Sequence, residues 1–293
     1  MPDILPSASG PAVLCRPETP AATPDAPAAP APAAPAAPGP AVRNRIGTDR
    51  AGGFYPAPHR YQIYLCPDCP RSLRVAITLD LLDLADSVGT VLLTAPAAPA
   101  PEGRDGHAAL HLAYQATVHR YDGPPTVPAL CDRWTGRIVS NHTPDILRDL
   151  AEHLCDRGRP DLPELWPTAL AAEIDAVRHH LDTDLAEGTP ETVLAALDGF
   201  DRRLGAGPYV LGDTLTAADV DLWVALVRLD AVEALLHGTE TAVAPARFDR
   251  LRAYVRRLHR HPAFRGGLHA DRPGTPPCRL CAAAEGPAAA DAA

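Results

Sequence analysis

Tyr61-Gln62-Ile63-Tyr64-Leu65-Cys66-Pro67-Asp68-Cys69-Pro70-Arg71-Ser72-Leu73 is the stretch whose reading decides the fold. Its first five residues alternate weakly and are rich in aromatic and branched side chains, the pattern of a strand. Two prolines interrupt it. Leu73, Ile77, Leu81 and Leu84 then recur at helical spacing, with Val75, Ala76, Leu79 and Leu82 widening the apolar stripe. A cysteine between a strand end and a helix start sits among unpaired backbone N–H groups at the positive end of the helix dipole. Both stabilise a thiolate and lower the thiol pKa from about 8.5. Cys69, one turn along, is placed to attack a mixed disulfide formed at Cys66. Arg71 and Arg74 add positive charge nearby, and Asp68 opposes them. The plainer reading is two small buried residues, as Cys commonly is. A strand–CxxC–helix context is nevertheless the one that redox chemistry requires.

Working outward, Thr90–Thr94 reads as a second strand, closed by a Pro/Ala/Gly loop through Gly106. His107 to Tyr121 is ambiguous and partly helical. Thr126–Asp132 reads as an interior strand entered through Pro128, and Arg133–Gly136 as the turn of a hairpin to Arg137–Val139. Thr143-Pro144 opens a helix with a cap residue and Pro at its first position. Strand, helix, strand, loop, strand, strand, helix is an α/β unit of roughly 90 residues, within the usual domain range.

From Trp166 the pattern is helical throughout. Leu170, Ile174, Val177 and Leu181 share one spacing, as do Val193, Leu197, Phe200 and Leu204. Thr216-Ala217-Ala218-Asp219 has the form of a capping box, with Leu215 and Val220 as a hydrophobic staple. The helix after it is apolar nearly all round and is expected to be buried. A last helix is expected from about Ala246 to His259. The resulting division is 1–50, a disordered Pro/Ala-rich segment; 51–156, the α/β domain; 157–268, an all-helical domain; and 269–293, a flexible tail.

Composition narrows the function. The chain has 293 residues, 34 Pro, 21 Gly, 7 Cys and a formal charge of -9, and all its basic residues are Arg. Residues 1–40 hold twelve Pro and twelve Ala and no apolar period. The acidic balance argues against a sequence-independent grip on nucleic acid. No apolar stretch reaches the length of a membrane span. The odd cysteine count and the absence of a secretory signal point to a cytoplasmic protein with mostly reduced thiols. Cys278 and Cys281 form a second CxxC. Two such pairs can hold zinc, but more than two hundred residues and a disordered-looking tail separate them, so no metal site is assigned. Cys15, Cys131 and Cys155 carry no pattern, and Cys131 reads as strand core. Adjacent histidines, as at His179-His180, point in different directions and lack ligand spacing.

These residues together resemble the glutathione transferase superfamily, a thioredoxin-like domain followed by an all-helical domain. Within it they resemble the glutathionyl-hydroquinone reductase, or Xi-class, family. Cys66-Pro67-Asp68-Cys69-Pro70-Arg71-Ser72-Leu73 lies over that family's Cys-Pro-Trp-Ala-His-Arg-Thr-Leu. Val127-Pro128 lies over its Val-Pro, and Thr135–Asn141 over its Thr-Gly-x-Ile-Val-x-Asn. Trp166-Pro167, Glu173–Ala176, Tyr209–Asp219 and Leu226–Val232 match its helical part. The resemblance covers roughly residues 59 to 265.

The resemblance implies glutathione or another low-molecular-weight thiol, a conjugated small-molecule substrate, and a homodimer. It implies Cys66 as nucleophile and Val127, before a cis Pro128, as the backbone partner of the bound thiol. Arg71, Asn141, His142 and Thr143 complete the implied thiol site, with Thr143 at a helix N-terminus that favours a carboxylate. The departures are specific to this chain. Asp68 replaces the family's Trp, and Cys69 replaces its Ala and offers a resolving thiol. His142-Thr143 replaces Glu-Ser, which removes the acidic partner of an ammonium, and the family's substrate-pocket tyrosines have no counterparts. The leading expectation is a thiol–disulfide oxidoreductase that uses Cys66, with Cys69 resolving. The alternatives are a transferase conjugating a thiol to an electrophile, and a catalytically degenerate, zinc-clipped binding module.

Overall fold

Tyr61–Leu65 form β1, and everything at the site hangs from its end. The structure is a computed structural model that describes residues 41–47, 53–93, 106–121, 123–156, 158–185 and 188–265. Residues 1–40 and 266–293, with Cys15, Cys278 and Cys281, lie outside the described residues. β1 pairs in parallel with β2 (Gly89–Leu92) and antiparallel with β3 (Ala129–Asp132), which pairs with β4 (Arg137–Ser140). The order is β2-β1-β3-β4. The parallel pair requires a crossover, and α1 (Pro70–Leu81) supplies it. β2 ends earlier than its apolar run suggests because Leu92 is opposite Leu65, where β1 turns away.

Alternation along β1 divides the core in two. Tyr61, Ile63 and Leu65 pack on one face with α1, with α3 (Thr143–Asp149) and with the helical half. Tyr64 and Cys66 lie on the other face with Leu110 and Tyr114 of α2 (Gly106–Thr117), the helix that resolves the ambiguous segment. The hairpin turn closes at Gly136, whose φ of +67° suits a residue without Cβ.

One expectation is corrected at the N-terminal side. Residues 41–47 fall in the segment read as disordered, yet they pack on the edge of β4. Asn141 N–H donates to the Val42 carbonyl and Asn44 N–H to that of Val139, both at 3.0 Å, and Ile46 is buried. An open sheet edge offers backbone partners that composition does not register.

The helical half comprises α4 (Ala171–His180), α5 (Pro190–Arg203), α6 (Ala217–Arg228), α7 (Ala231–His237), α8 (Asp249–His259) and α9 (Pro262–Arg265). Single π turns, Leu150–Leu154 and Leu181–Leu185, extend α3 and α4. The capping box of α6 forms as read, with Asp219 Oδ2 accepting from Thr216 N–H at 2.9 Å. The nearly all-apolar α6 is buried and packs on α1. α8 starts three residues later than expected. Phe248 N–H closes a turn on Pro245, and Asp201 of α5 caps the helix by accepting from Arg250 and Leu251 N–H at 3.0 and 2.9 Å. Among the described residues no helix is long and apolar enough to cross a membrane.

Candidate active site

β1 releases the chain at Leu65 into a tight turn. Cys69 N–H donates to the Cys66 carbonyl at 3.1 Å, and Cys66 N–H donates to Ser72 Oγ at 3.1 Å. The turn corrects the sequence reading of the pair. Cys69, not Cys66, occupies the N-cap of α1, with Pro70 following it. The helix dipole therefore acts most directly on Cys69. Both cysteines are 1% exposed, and they share a cluster with Tyr64, Tyr114, Tyr121 and Val127. Asp68 is exposed on the turn, where solvent screens its charge.

Val127 lies in that cluster, and its bond to Pro128 is cis, as the resemblance implies. β3 begins only at Ala129, and Val127 N–H and C=O make no hydrogen bond with the described residues. A buried peptide group in this state has a donor and an acceptor to offer.

Asn141 is placed one step from the cysteines. Its Nδ2 donates to Tyr114 Oη at 3.0 Å and to Thr126 Oγ1 at 3.1 Å, and its Oδ1 accepts from Val42 N–H at 2.8 Å. It therefore ties the loop carrying Val127 to the strap at residues 41–47 and to α2. Arg71 lies in the first turn of α1, close enough for its charge to act on the Tyr114 hydroxyl. Burial nonetheless pushes the Tyr114 phenol up.

At the head of α3 the structure corrects a second detail. His142, not Thr143, is the N-cap residue, and Thr143 is the first helical residue. The Thr143 hydroxyl is buried and has no partner among the described residues. Asp145 sits between two bases, its Oδ2 3.0 Å from His142 Nδ1 and 2.9 Å from Arg43 Nε. Burial pushes the Asp145 carboxyl up. The hydrogen bonds from His142 and Arg43 outweigh that effect and hold it well below the usual carboxylate range. A carboxylate thus stands close to where the family's acid is missing, two residues past Thr143.

Sequence reasoning missed Tyr114, Thr126, Arg43 and Asp145. Only Asp145 left a local sign, as an acid in the first turn of a helix. Cys131 is strand core as read, and burial pushes its thiol up to about 12. Among the described residues no group of three His, Cys, Asp or Glu is placed to hold a metal.

Residues 168–257 match the family model for the glutathione S-transferase C-terminal domain. The chain is 28% identical over 207 residues to the glutathionyl-hydroquinone reductase PcpF of Sphingobium chlorophenolicum, covering 61% of this chain and 66% of that relative. It is 27% identical over 226 residues to the glutathionyl-hydroquinone reductase YqjG of Escherichia coli, covering 66% and 68%. A solved glutathione-bound structure of YqjG superposes with a TM-score of 0.60, covering 78% of this chain and 85% of that one at 23% identity. The crystal structure of a glutathione transferase from Gordonia bronchialis superposes with the same TM-score of 0.60 at 27% identity, covering 77% and 78%. The chain therefore has the glutathione transferase fold, a thioredoxin-like sheet unit followed by a glutathione S-transferase C-terminal domain, and resembles the glutathionyl-hydroquinone reductases.

Proposed function

We propose that the chain is a thiol–disulfide oxidoreductase of the glutathione transferase fold, reducing a small glutathionyl-hydroquinone-like conjugate through Cys66. The observation that carries this reading is the peptide group of Val127, unpaired among the described residues and in the same buried cluster as Cys66. It fits the backbone of a peptide-like thiol such as glutathione, which two-strand pairing would hold with its sulfur toward Cys66. The Thr143 hydroxyl, without a partner among the described residues, fits a carboxylate at the other end of that thiol. The named relatives are glutathionyl-hydroquinone reductases, which supports the same substrate class. The reading includes a cytoplasmic location and a homodimer, in keeping with reduced thiols and with the resemblance.

The reaction balances as successive exchanges at sulfur. The Cys66 thiolate attacks the sulfur of the conjugate; a sulfur–sulfur bond forms, the carbon–sulfur bond breaks, and the leaving carbon takes a proton. Cys69 then attacks Cys66, forming an intramolecular disulfide and releasing the thiol as thiolate. Two equivalents of a low-molecular-weight thiol return the electron pair and leave as a disulfide. Arg71 and the α1 dipole favour the thiolate forms.

A second reading, a binding module that has lost the chemistry, is favoured by the burial of both cysteines. Intact mass measurement after incubation with glutathione disulfide and with a glutathionyl-hydroquinone decides between them. The oxidoreductase ends as the Cys66–Cys69 disulfide in the parent, accumulates one glutathione on Cys66 in Cys69→Ser, and carries none there in Cys66→Ser. No adduct in Cys69→Ser together with no disulfide in the parent, or an adduct unaffected by Cys66→Ser, overturns the redox reading. Activity surviving Cys66→Ser would instead mark a conjugating transferase.

A further inference from the structure

From Arg256 to Arg265 the chain carries four Arg, two His and no acid, although its net charge is -9. The stretch spans the end of α8 and all of α9. Cations in the last turn of a helix oppose its dipole, which accounts for Arg256, Arg257 and His259. It does not account for the cavity beside them. Where the stretch meets the loop between α5 and α6, a cavity of about 320 Å³ opens. The buried Leu258 and Phe264 line it together with Tyr209, and Arg257, Arg260 and His261 bring cationic or polar groups to it. No acid lines it. None of these three basic residues makes an ion pair with the described residues, in contrast to the arginines of α4 and the start of α8.

The groups at the cavity are held in place. Arg257 Nη1 donates to the Pro208 carbonyl, and the guanidinium lies 6.0 Å from the centroid of the Tyr209 ring. Its other N–H groups have no partner among the described residues. His261 Nδ1 accepts from Ala263 N–H at 3.2 Å, which leaves Nε2 to carry a proton and donate it outward. The Phe264 ring meets Trp223 of α6 edge-on at 5.3 Å and His261 at 6.2 Å. The acids on the surrounding elements do not neutralise the cavity. Asp219 is buried, with its oxygens taken by Val210 and Thr216 N–H and by Tyr254. Asp80 of α1 and Asp213 of the α5–α6 loop are exposed, and neither forms an ion pair with the described residues.

We propose that this cavity is a second binding site, apart from the cysteines, for a small aromatic carboxylate. Arg257 and Arg260 supply the paired N–H donors that a carboxylate accepts, with His261 Nε2 as a third. Tyr209, Leu258 and Phe264 supply the apolar and aromatic surface that a ring buries. The volume lies at the low end of the roughly 300–1,000 Å³ of small-molecule pockets, which suits one or two fused rings. Leu258 and Phe264 belong to the core cluster of the helical half, and no residue named at the cavity belongs to the cluster of Cys66 and Cys69. The site therefore does not depend on the chemistry at Cys66.

The test is equilibrium dialysis of naphthoate against the full chain at neutral pH, with uncharged naphthamide as the comparison. Naphthoate is expected to bind saturably, one per chain, and about tenfold or more tighter than naphthamide, the effect of one charge-assisted contact. Arg257→Met is expected to weaken naphthoate about tenfold and Arg260→Ala about fivefold, with naphthamide unmoved. Arg137→Ala, which removes an exposed arginine on β4, is expected to change nothing. Excess glutathione and Cys66→Ser are expected to leave naphthoate bound. No saturable binding, equal affinity for the two compounds, displacement by glutathione, or equal losses in Arg137→Ala and Arg260→Ala overturn the proposal. If Arg257→Met fails to fold, Arg260→Ala decides alone, weaker naphthoate binding supporting the site and an unchanged affinity overturning it. Binding is read without turnover, so failure of thiol transfer at Cys66 and failure of this site are seen separately.

Discussion

Arg60 donates from Nε and Nη2 to the two carboxylate oxygens of Asp132, at 3.0 and 2.8 Å, with both side chains almost fully buried. The pair joins the residue before β1 to the residue that starts the β3–β4 turn. Asp132 also accepts from Trp134 N–H and from Thr135 Oγ1, at 3.1 and 3.0 Å. The Arg60 guanidinium lies between the Tyr55 and Trp134 rings, 4.4 and 4.8 Å from their centroids. Burial pushes the Asp132 carboxyl up, but the Arg60 hydrogen bonds and the turn donors bring it below its ordinary value. Asp132→Ala strands a buried guanidinium and is expected to cost about 3–5 kcal/mol. Arg60→Met with Asp132→Leu is expected to recover most of that loss, because no charge is then left unpaired. Urea denaturation of the three proteins checks both expectations.

Asp149 ties the 41–47 strap to α3. Its Oδ2 accepts from Ile46 N–H at 3.0 Å and its Oδ1 from Arg45 Nε at 2.6 Å, and the side chain is fully buried. The Arg43–Asp145 pair at the other end has its arginine half exposed and contributes up to about 1 kcal/mol. Asp149→Asn is therefore expected to speed tryptic cleavage after Arg43 and Arg45 much more than Arg43→Ala speeds cleavage after Arg45. A strap equally resistant in both variants would show that Val42 and Ile46 hold it by burial instead.

Much of this architecture is legible in the sequence wherever local pattern and tertiary need coincide. β1, α1 and the α6 capping box are read correctly because alternation, helical spacing and a Thr-x-x-Asp cap each reflect nearest-neighbour physics. The errors fall where a distant partner decides. Residues 41–47 are ordered by the edge of β4, and the start of α8 is set by Asp201 from another helix. At the site, the CxxC and Val127-Pro128 are visible as motifs. The exchange of N-cap position from Cys66 to Cys69, and from Thr143 to His142, depends on where the turn closes. Tyr114 and Thr126 meet Asn141 only through the fold, across 27 and 15 residues of sequence.

That meeting carries its own expectation. Asn141 does not need to touch a thiol to matter, since it fixes Thr126 next to the peptide group of Val127. Asn141→Ala leaves the Val42 N–H without its 2.8 Å acceptor and removes both donors to the Tyr114–Thr126 pair. It is expected to weaken thiol binding several-fold and to lower stability by about 1–3 kcal/mol. Tyr114→Phe, which removes one member of the same network, is expected to move both in the same direction by less. Equilibrium binding of glutathione and thermal melting test the pair, and unchanged binding in both variants would place the thiol elsewhere.

Cys131 provides a contrast to the CxxC on the same face of the sheet. Burial raises its thiol to about 12, so at pH 8 almost none of it is thiolate. Native protein treated with iodoacetamide at pH 8 is expected to leave Cys131 unmodified, and denaturant is expected to expose it. Rapid native labelling at Cys131 would contradict its place in the core.

Asp219 gives the stability of the helical half a defined pH dependence. Its carboxylate accepts from Thr216 and Val210 N–H, both at 2.9 Å, and from Tyr254 Oη at 3.1 Å. Burial nevertheless pushes it from 3.8 up to about 6, the hydrogen bonds only reducing the rise. A carboxyl raised on folding holds its proton better in the folded than in the unfolded chain. Its contribution is therefore full below about pH 4 and is lost as pH rises to about 6, after which it is constant. Asp219→Asn abolishes this titration while keeping the size of the group. The stability of the parent relative to Asp219→Asn is expected to fall between pH 4.5 and 6.5 and to level off by pH 7.5, in urea denaturation at matched ionic strength. A difference that grows with pH would mean that the hydrogen-bond donors outweigh burial and that the capping carboxylate ionises at or below its ordinary value.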